Sequence, residues 1–167
     1  MPNKWTFQMK PVQKVLERVI GDGKGWVDPF AGKTSPAEIT NDANCELNTT
    51  YHMDALAFLT SLEDAAYLGV LFDPPYSVEM AKRRYQYQNY TDTASFARYM
   101  TTCKAEIGRI TKYQGHVISF GWNSNGIGMK YGFNIDEIIM LAHGAHHYDT
   151  IIVVETKTNR QMKLGWL

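Results

Sequence analysis

With 167 residues, 44% of them hydrophobic and 20% charged, the chain is long enough for one apolar core and reads as a single domain over residues 1–167. Lys plus Arg and Asp plus Glu each number 17, so net charge is near zero. That balance excludes a broadly basic surface and leaves nucleic-acid contact to a local patch, and the composition excludes a disordered chain.

The predicted elements alternate. Residues 11–20 put Val12, Val15, Leu16, Val19 and Ile20 at helical spacing, with Pro11 suited to a first turn. Gly21-Asp22-Gly23-Lys24-Gly25 stops that helix. A short strand, Trp26-Val27, then runs into Asp28-Pro29-Phe30-Ala31-Gly32, and residues 37–42 read as a second strand ending in Asn41-Asp42. Thr50 to Met53 leads to Asp54 and a helix from Ala55 to Leu62. The apolar run Tyr67–Phe72 predicts a buried strand that meets Asp73. A helix over Thr93–Thr111 follows from the spacing of Phe96, Tyr99, Met100, Cys103, Ile107 and Ile110. Strands are predicted at Val117–Phe120, Ile135–Leu141 and Ile151–Val154, with a polar, fraying piece from Lys157 to Leu167.

Strands alternating with helices imply an α/β fold with an open, mostly parallel sheet and helices on both faces. Ligands of such sheets bind outside the carboxyl ends of the strands. Asp28, Asp42, Asp54 and Asp73 stand at those predicted ends, which makes the crevice there the expected site.

Asp73-Pro74-Pro75-Tyr76 is the most informative stretch. Proline cannot donate to a sheet ladder, so Pro74 and Pro75 lie just past the strand as a stiff turn. Asp73 offers an acceptor and Tyr76 a flat face with a polar tip, a fork suited to a planar group carrying an exocyclic amino group. This stretch resembles the DPPY motif of the S-adenosylmethionine-dependent amino-methyltransferases, which act on adenine N6 or cytosine N4. Asp28-Pro29-Phe30-Ala31-Gly32 is similar to that family's DPFxG cofactor loop, and Phe7-Gln8-Met9-Lys10-Pro11 to the segment before it. The resemblance covers roughly residues 5–158.

The resemblance implies a Rossmann-like class I methyltransferase fold and S-adenosyl-L-methionine as cofactor, with no metal. It implies catalytic roles for Asp73, Pro74, Pro75 and Tyr76. The base is flipped out of its stack, its amino group bonds the Asp73 carboxylate and the Pro74 carbonyl, and Tyr76 stacks on the ring. Phe7, Lys10, Asp28, Pro29, Phe30, Ala31 and Gly32 would line the methionine end, with Asp73 beside it. Asp42, preferred over Asn41, would hold the ribose, and Asp54 with Ala55 would face the adenine. Adenine N6 in DNA is the favoured target. RNA, or a non-catalytic cofactor- or nucleic-acid-binding module, is the alternative.

The sequence departs from the family pattern in two ways. The loop continues Gly32-Lys33-Thr34, so a threonine replaces the second glycine and Lys33 is the local positive charge. The short span between Asp28 and Asp42 leaves no room for the helix that usually follows the loop. No segment is long enough for a separate target-recognition domain, which leaves a specificity partner or a homodimer open. Lys82, Arg83, Arg84 and Tyr85, within a basic and aromatic run that extends to Tyr90, suit phosphates and unstacked bases, or else form a solvated helix face. Trp122 and Asn123 either line the base pocket or, for the tryptophan, pack in the core.

Other patterns carry less. Gly32-Lys33-Thr34 fails as a phosphate loop because position 27 is valine. Gly126-Ile127-Gly128 belongs to a sequence too long for a dinucleotide fingerprint and reads as a crevice-rim loop. His143, His146 and His147 lack an adjacent acidic ligand and read as surface or structural. Cys45 and Cys103, far apart, are expected as buried, reduced thiols of a cytoplasmic protein. The first ten residues show no apolar leader and no stretch reaches the roughly 18 apolar residues of a membrane span.

Overall fold

The computed structural model of the chain describes residues 7, 9–85, 92–142 and 149–159, with the side chains of residues 83–85 outside that description. Helix α1 (Lys10–Val19) carries Pro11 in its first turn and buries Val12, Val15 and Leu16. Strand β1 (Trp26–Asp28) is buried throughout. Strand β2 (Ile39–Thr40) is only two residues long, shorter than the 37–42 expected, and no helix fits between it and β1. Helix α2 (Ala55–Ser61), strand β3 (Tyr67–Phe72), and helices α3 (Val78–Tyr85) and α4 (Thr93–Ile110) follow. Strands β4 (Thr111–Gly121), β5 (Phe133–Leu141) and β6 (Thr150–Lys157) complete the described chain.

The six strands form one sheet in the order β2-β1-β3-β4-β6-β5. Neighbours among β2, β1, β3 and β4 are parallel, and β6 runs antiparallel to both β4 and β5. The mostly parallel sheet expected from the alternation is therefore present, with one reversed strand inserted beside the edge.

Side chains alternate across the sheet with period two. Val70 and Phe72 of β3 join Val27 and Val117 against Phe58 and Leu59 of α2 and Cys103, Ile107 and Ile110 of α4. Leu71 points the other way, joining Ile118, Phe120, Ile152 and Val154 against Val12, Val15, Leu16 and Ile20 of α1. Helices thus cover both faces, two on one side and one on the other. Helix α3 packs through Val78 and Ala81 on Phe96 of α4.

Besides β2, other boundaries differ from expectation, those of β4 and β6 for identifiable reasons. Strand β4 begins at Thr111, six residues before the apolar run, because residues 112–114 are exposed and hide the pattern. Lys157 is no fraying end: it is 3% exposed and closes β6. Its ammonium donates to the carbonyls of Gly108 and Thr111, the latter at 2.7 Å, satisfying the end of α4. The remaining tail, residues 160–167, lies outside the described residues, as do His143, His146 and His147. Of the cysteines, Cys103 is buried as expected but Cys45 is exposed in the loop after β2. Among the described residues, no helix is long and apolar enough to cross a membrane.

Candidate functional site

Parallel register brings the carboxyl ends of four strands to one edge. Val27 pairs with Ile39 and Asp28 with Thr40, Val27 pairs with Val70, and Phe72 pairs with Ser119. Asp28, the Asn41-Asp42 pair and Asp73 therefore emerge side by side. A single parallel bridge from Asn41 to Tyr51 adds the segment that leads to Asp54.

Three of these acids fold back on their own backbone. Asp28 is fully buried and accepts from the Phe30 N–H at 2.9 Å and from the Ser35 hydroxyl at 2.6 Å. Asp42 accepts from the Asn44 N–H at 2.9 Å and from the Gly32 N–H at 3.1 Å. Asp54 caps α2, accepting from the Leu56 and Ala57 amides at 3.0 and 3.1 Å and from the Tyr99 hydroxyl at 2.9 Å. Each carboxylate takes the N–H two residues on, the local turn that aspartate favours. Gly32 reaches Asp42 with a positive φ of 59°, which glycine adopts without strain.

Asn41 is not available to a ligand. It is fully buried, donates to the carbonyls of Pro29 and Met53 at 3.1 Å each, and accepts from the Met53 amide at 2.9 Å. It clamps the Pro29–Gly32 loop to the segment before α2. Asp42 is the member of the pair whose carboxylate retains acceptor capacity, since each oxygen takes one protein donor in those bonds.

Asp73 behaves differently. Two residues on stands Pro75, which has no N–H, so the local turn made by the other three acids is closed to it. Its Oδ1 accepts the Tyr76 hydroxyl at 2.8 Å. The Tyr76 ring meets Trp122 edge-on, with centroids 5.4 Å apart and planes at 70°. Pro74, Pro75, Tyr76, Ser119, Trp122 and Asn123 wall a cavity of about 210 Å³ beside this turn. Its far side comes from Phe96, Met100 and Lys104, which follow one another at four-residue spacing along α4.

The electrostatics follow from this crowding of acids. Burial pushes the Asp28 carboxyl up to about 7, opposed by the Ser35 and Phe30 hydrogen bonds and reinforced by the charges of Asp73 and Asp42. Burial also lowers the Lys104 ammonium, while Glu155 raises it. Glu155 is itself fully buried on β6 and accepts the amides of Ile127 and Gly128 at 2.6 and 2.9 Å. Gly126 has a φ of 54°, and a Cβ there would lie 2.4 Å from the Glu155 carboxylate, so only glycine lets this loop close onto the acid. Lys104 donates to the Gly126 carbonyl.

The other expected site residues fall in several places. Phe7 packs edge-on against Phe120 at 5.3 Å and lines a separate cavity of about 350 Å³ between α1 and residues 34–36. That space is larger than the one at Asp73, but none of the strand-end acids lines it. Lys10 is exposed at the start of α1. Pro29, Phe30, Ala31 and Ala55 are buried, with Phe30 and Ala55 in the α2–α4 core. Lys82 is exposed on α3, while the side chains of Arg83, Arg84 and Tyr85 lie outside the described residues. Trp122 is 40% exposed at the cavity mouth, which settles it as wall rather than core. Among the described residues no group of three or more His, Cys, Asp or Glu could hold a metal ion.

Sequence reading missed Ser119, Lys104 and Glu155. The α4 stripe held a signal, since Lys104 falls one turn after Met100 on an otherwise apolar face. Nothing in the local sequence links Glu155 to Gly126.

No family model matches the sequence, and no curated protein matches it. Solved structures do match in shape. A Burkholderia thailandensis 1,6-didemethyltoxoflavin-N1-methyltransferase, crystallised with 1,6-didemethyltoxoflavin and S-adenosylhomocysteine, superposes at a TM-score of 0.59 and 10% identity over 90% of this chain and 78% of its own. A SAM-dependent methyltransferase from Archaeoglobus fulgidus gives 0.58 at 12% identity, over 92% of this chain and 97% of its own. The N-methyltransferase NodS from Bradyrhizobium japonicum gives 0.56 at 7% identity, over 92% and 98%. Strand order, the reversed β6 and these superpositions agree: the chain has the Rossmann-like fold of class I methyltransferases.

Proposed function

We propose that the chain is an S-adenosylmethionine-dependent methyltransferase that modifies the exocyclic amino group of a nucleic-acid base, adenine N6 in DNA being the favoured target. The observation that carries this reading is the Asp73 turn. Asp73 stands at the end of β3, cannot cap a Pro75 amide and bonds the Tyr76 hydroxyl, and the Pro74, Pro75 and Tyr76 that follow it wall a cavity with Trp122.

The donor set fits the cofactor. Burial raises Asp28 to about 7 and the charges of Asp73 and Asp42 add to the shift, so a cationic sulfonium or ammonium placed there relieves the repulsion among the three. Asp42 has acceptor capacity for ribose hydroxyls, and the Phe30–Gly32 backbone supports the methionine end. When bound, the cofactor supplies an activated methyl group on sulfur.

The chain's own residues then act by position and charge. Tyr76 offers its face to the base. Asp73 and the Pro74 carbonyl accept the two amino hydrogens, which draws the nitrogen lone pair out of the ring and directs it at the methyl group. The proton shed after transfer has an acceptor in Asp73. Exposed Lys82 on α3 provides a phosphate contact.

Transfer of tritiated methyl from S-adenosylmethionine to pools of single-stranded DNA, duplex DNA and RNA tests the reading. Label is expected in N6-methyladenine and should fall at least a hundredfold in Asp73→Ala, with cofactor affinity little changed. Full transfer by that variant, or label in a product other than a base amino group, would overturn it.

A further inference from the structure

The cavity beside Asp73 contains a polar group that the roles above leave unused. Ser119 is 7% exposed, and its hydroxyl oxygen is the one buried side-chain oxygen or nitrogen among the described residues without a hydrogen-bond partner. Burying a hydroxyl unpaired is costly, and such groups mark a place where something else completes the bond. Ser119 also lines the cavity and pairs in register with Phe72, the residue before Asp73. The hydroxyl thus sits on the next strand over from the proposed amino-group acceptor.

We propose that Ser119 is a specificity-determining residue whose hydroxyl donates to the ring nitrogen flanking the amino-bearing carbon of the target base; this rests on the methyltransferase reading above. The geometry favours this assignment over a purely apolar slot. An amino group held at Asp73, past the end of β3, carries its ring over the neighbouring strand, β4. In adenine and in cytosine, the carbon bearing the amino group adjoins a ring nitrogen that accepts a hydrogen bond. A hydroxyl can donate to it while the Asp73 carboxylate, an acceptor only, takes the amino hydrogens.

The same cavity, walled in part by Phe72, Phe96, Met100 and Phe120, also has a cationic lining residue. Lys104 reaches it from α4 and is anchored on the Gly126 carbonyl. Glu155 holds the amides of Ile127 and Gly128, so the loop that carries that carbonyl is fixed from below. A ring entering the cavity beside Tyr76 and Trp122 therefore meets the Ser119 hydroxyl and Lys104 as well as apolar side chains. Sites built to hydrogen-bond a substrate discriminate strongly against analogues that lack the matching atom.

The test compares wild type with Ser119→Ala on single-stranded oligonucleotides carrying adenine, 7-deazaadenine or 1-deazaadenine at the target position. Ser119→Ala deletes a hydroxyl with no protein partner, so the variant should fold, and an unchanged melting temperature checks this. Its kcat/KM on adenine and on 7-deazaadenine should drop about tenfold, the size of one hydrogen bond. On 1-deazaadenine, which lacks the flanking nitrogen, it should equal wild type. An unchanged rate on adenine, or equal losses on all three, would overturn the proposal. A second readout separates it from the parent reading: equilibrium dialysis of labelled adenosine and 1-deazaadenosine against protein saturated with S-adenosylhomocysteine. If wild type transfers no methyl group, yet Ser119→Ala binds adenosine about tenfold more weakly and 1-deazaadenosine as before, the parent reading fails and the assignment of Ser119 stands. If wild type binds neither nucleoside, or both alike, the assignment falls.

Discussion

Four aspartates occupy comparable places in this chain, and a single neighbour separates their fates. Asp28, Asp42 and Asp54 each accept the N–H two residues ahead. Asp73 cannot, because Pro75 has none. The proline pair therefore does more than stiffen a turn: it denies the carboxylate the amide two residues on, and Asp73 accepts the Tyr76 hydroxyl. Pro75→Ala restores that amide and lets Asp73 fold back as its three counterparts do. Methyl transfer should fall tenfold or more while the melting temperature moves by no more than a few degrees, since the turn lies outside the strand. Steady-state kinetics beside a thermal melt would check this, and an unchanged kcat/KM would count against the argument.

At the scale of elements, α2 is too short to persist alone and is held by its ends. Asp54 caps its first turn and at the same time accepts the Tyr99 hydroxyl from α4, while Phe58 and Leu59 enter the shared core. Losing an N-cap costs about 1–2 kcal/mol, and the bond donated by the Tyr99 hydroxyl is lost as well. Asp54→Ala should lower the denaturation midpoint accordingly, and Asp54→Asn or Asp54→Ser should recover most of it. A cofactor affinity that falls equally in Asp54→Asn and in Asp54→Ala would show that the charge, rather than the cap, matters to the ligand. Helix α4 is secured the same way at both ends, by the Asp92–Ser95 capping box and by Lys157 arriving from β6.

At the scale of the whole molecule, the sheet assembles charges that no single element would tolerate. Asp28 comes from β1, Asp42 from the loop after β2 and Asp73 from the end of β3. Burial above all, with a smaller push from the two neighbouring charges, raises Asp28 to about 7 from an ordinary 3.8. A folded-state pKa above the unfolded one means that folding favours the protonated acid. The stabilisation is fully present below about pH 3.8 and is lost as pH rises through 7. Over that window the loss is roughly 4 kcal/mol as an upper figure. Asp28→Asn, which stays neutral, should therefore gain on wild type in melting temperature from pH 4 to pH 8. Parallel pH profiles for the two proteins would refute the assignment.

Much of the fold was legible because it follows from short-range pattern. Apolar runs fixed β1, β3 and β6, helical spacing fixed α1 and α4, and the residues at the strand ends pointed to the edge where ligands bind. Strand β4 was only half visible, since its exposed first turn carries no apolar signal. The stiff turn after Asp73 was legible, because proline chemistry acts on the residues beside it, but the bond from the Tyr76 hydroxyl to Asp73 was not. What the sequence could not reveal depends on residues far apart in the chain meeting in space. It gave no warning that Asp54 would be bound by Tyr99, that Asn41 would be used up as a clamp, or that Glu155 would hold the loop at Gly126. The reversal of β6, the burial of Lys157 and the partnerless hydroxyl of Ser119 are likewise consequences of packing. Local sequence determined which chemistry the strand ends carry and which acids have an amide two residues on; only the tertiary structure decided which distant groups reach them, because those bonds join residues far apart in the chain.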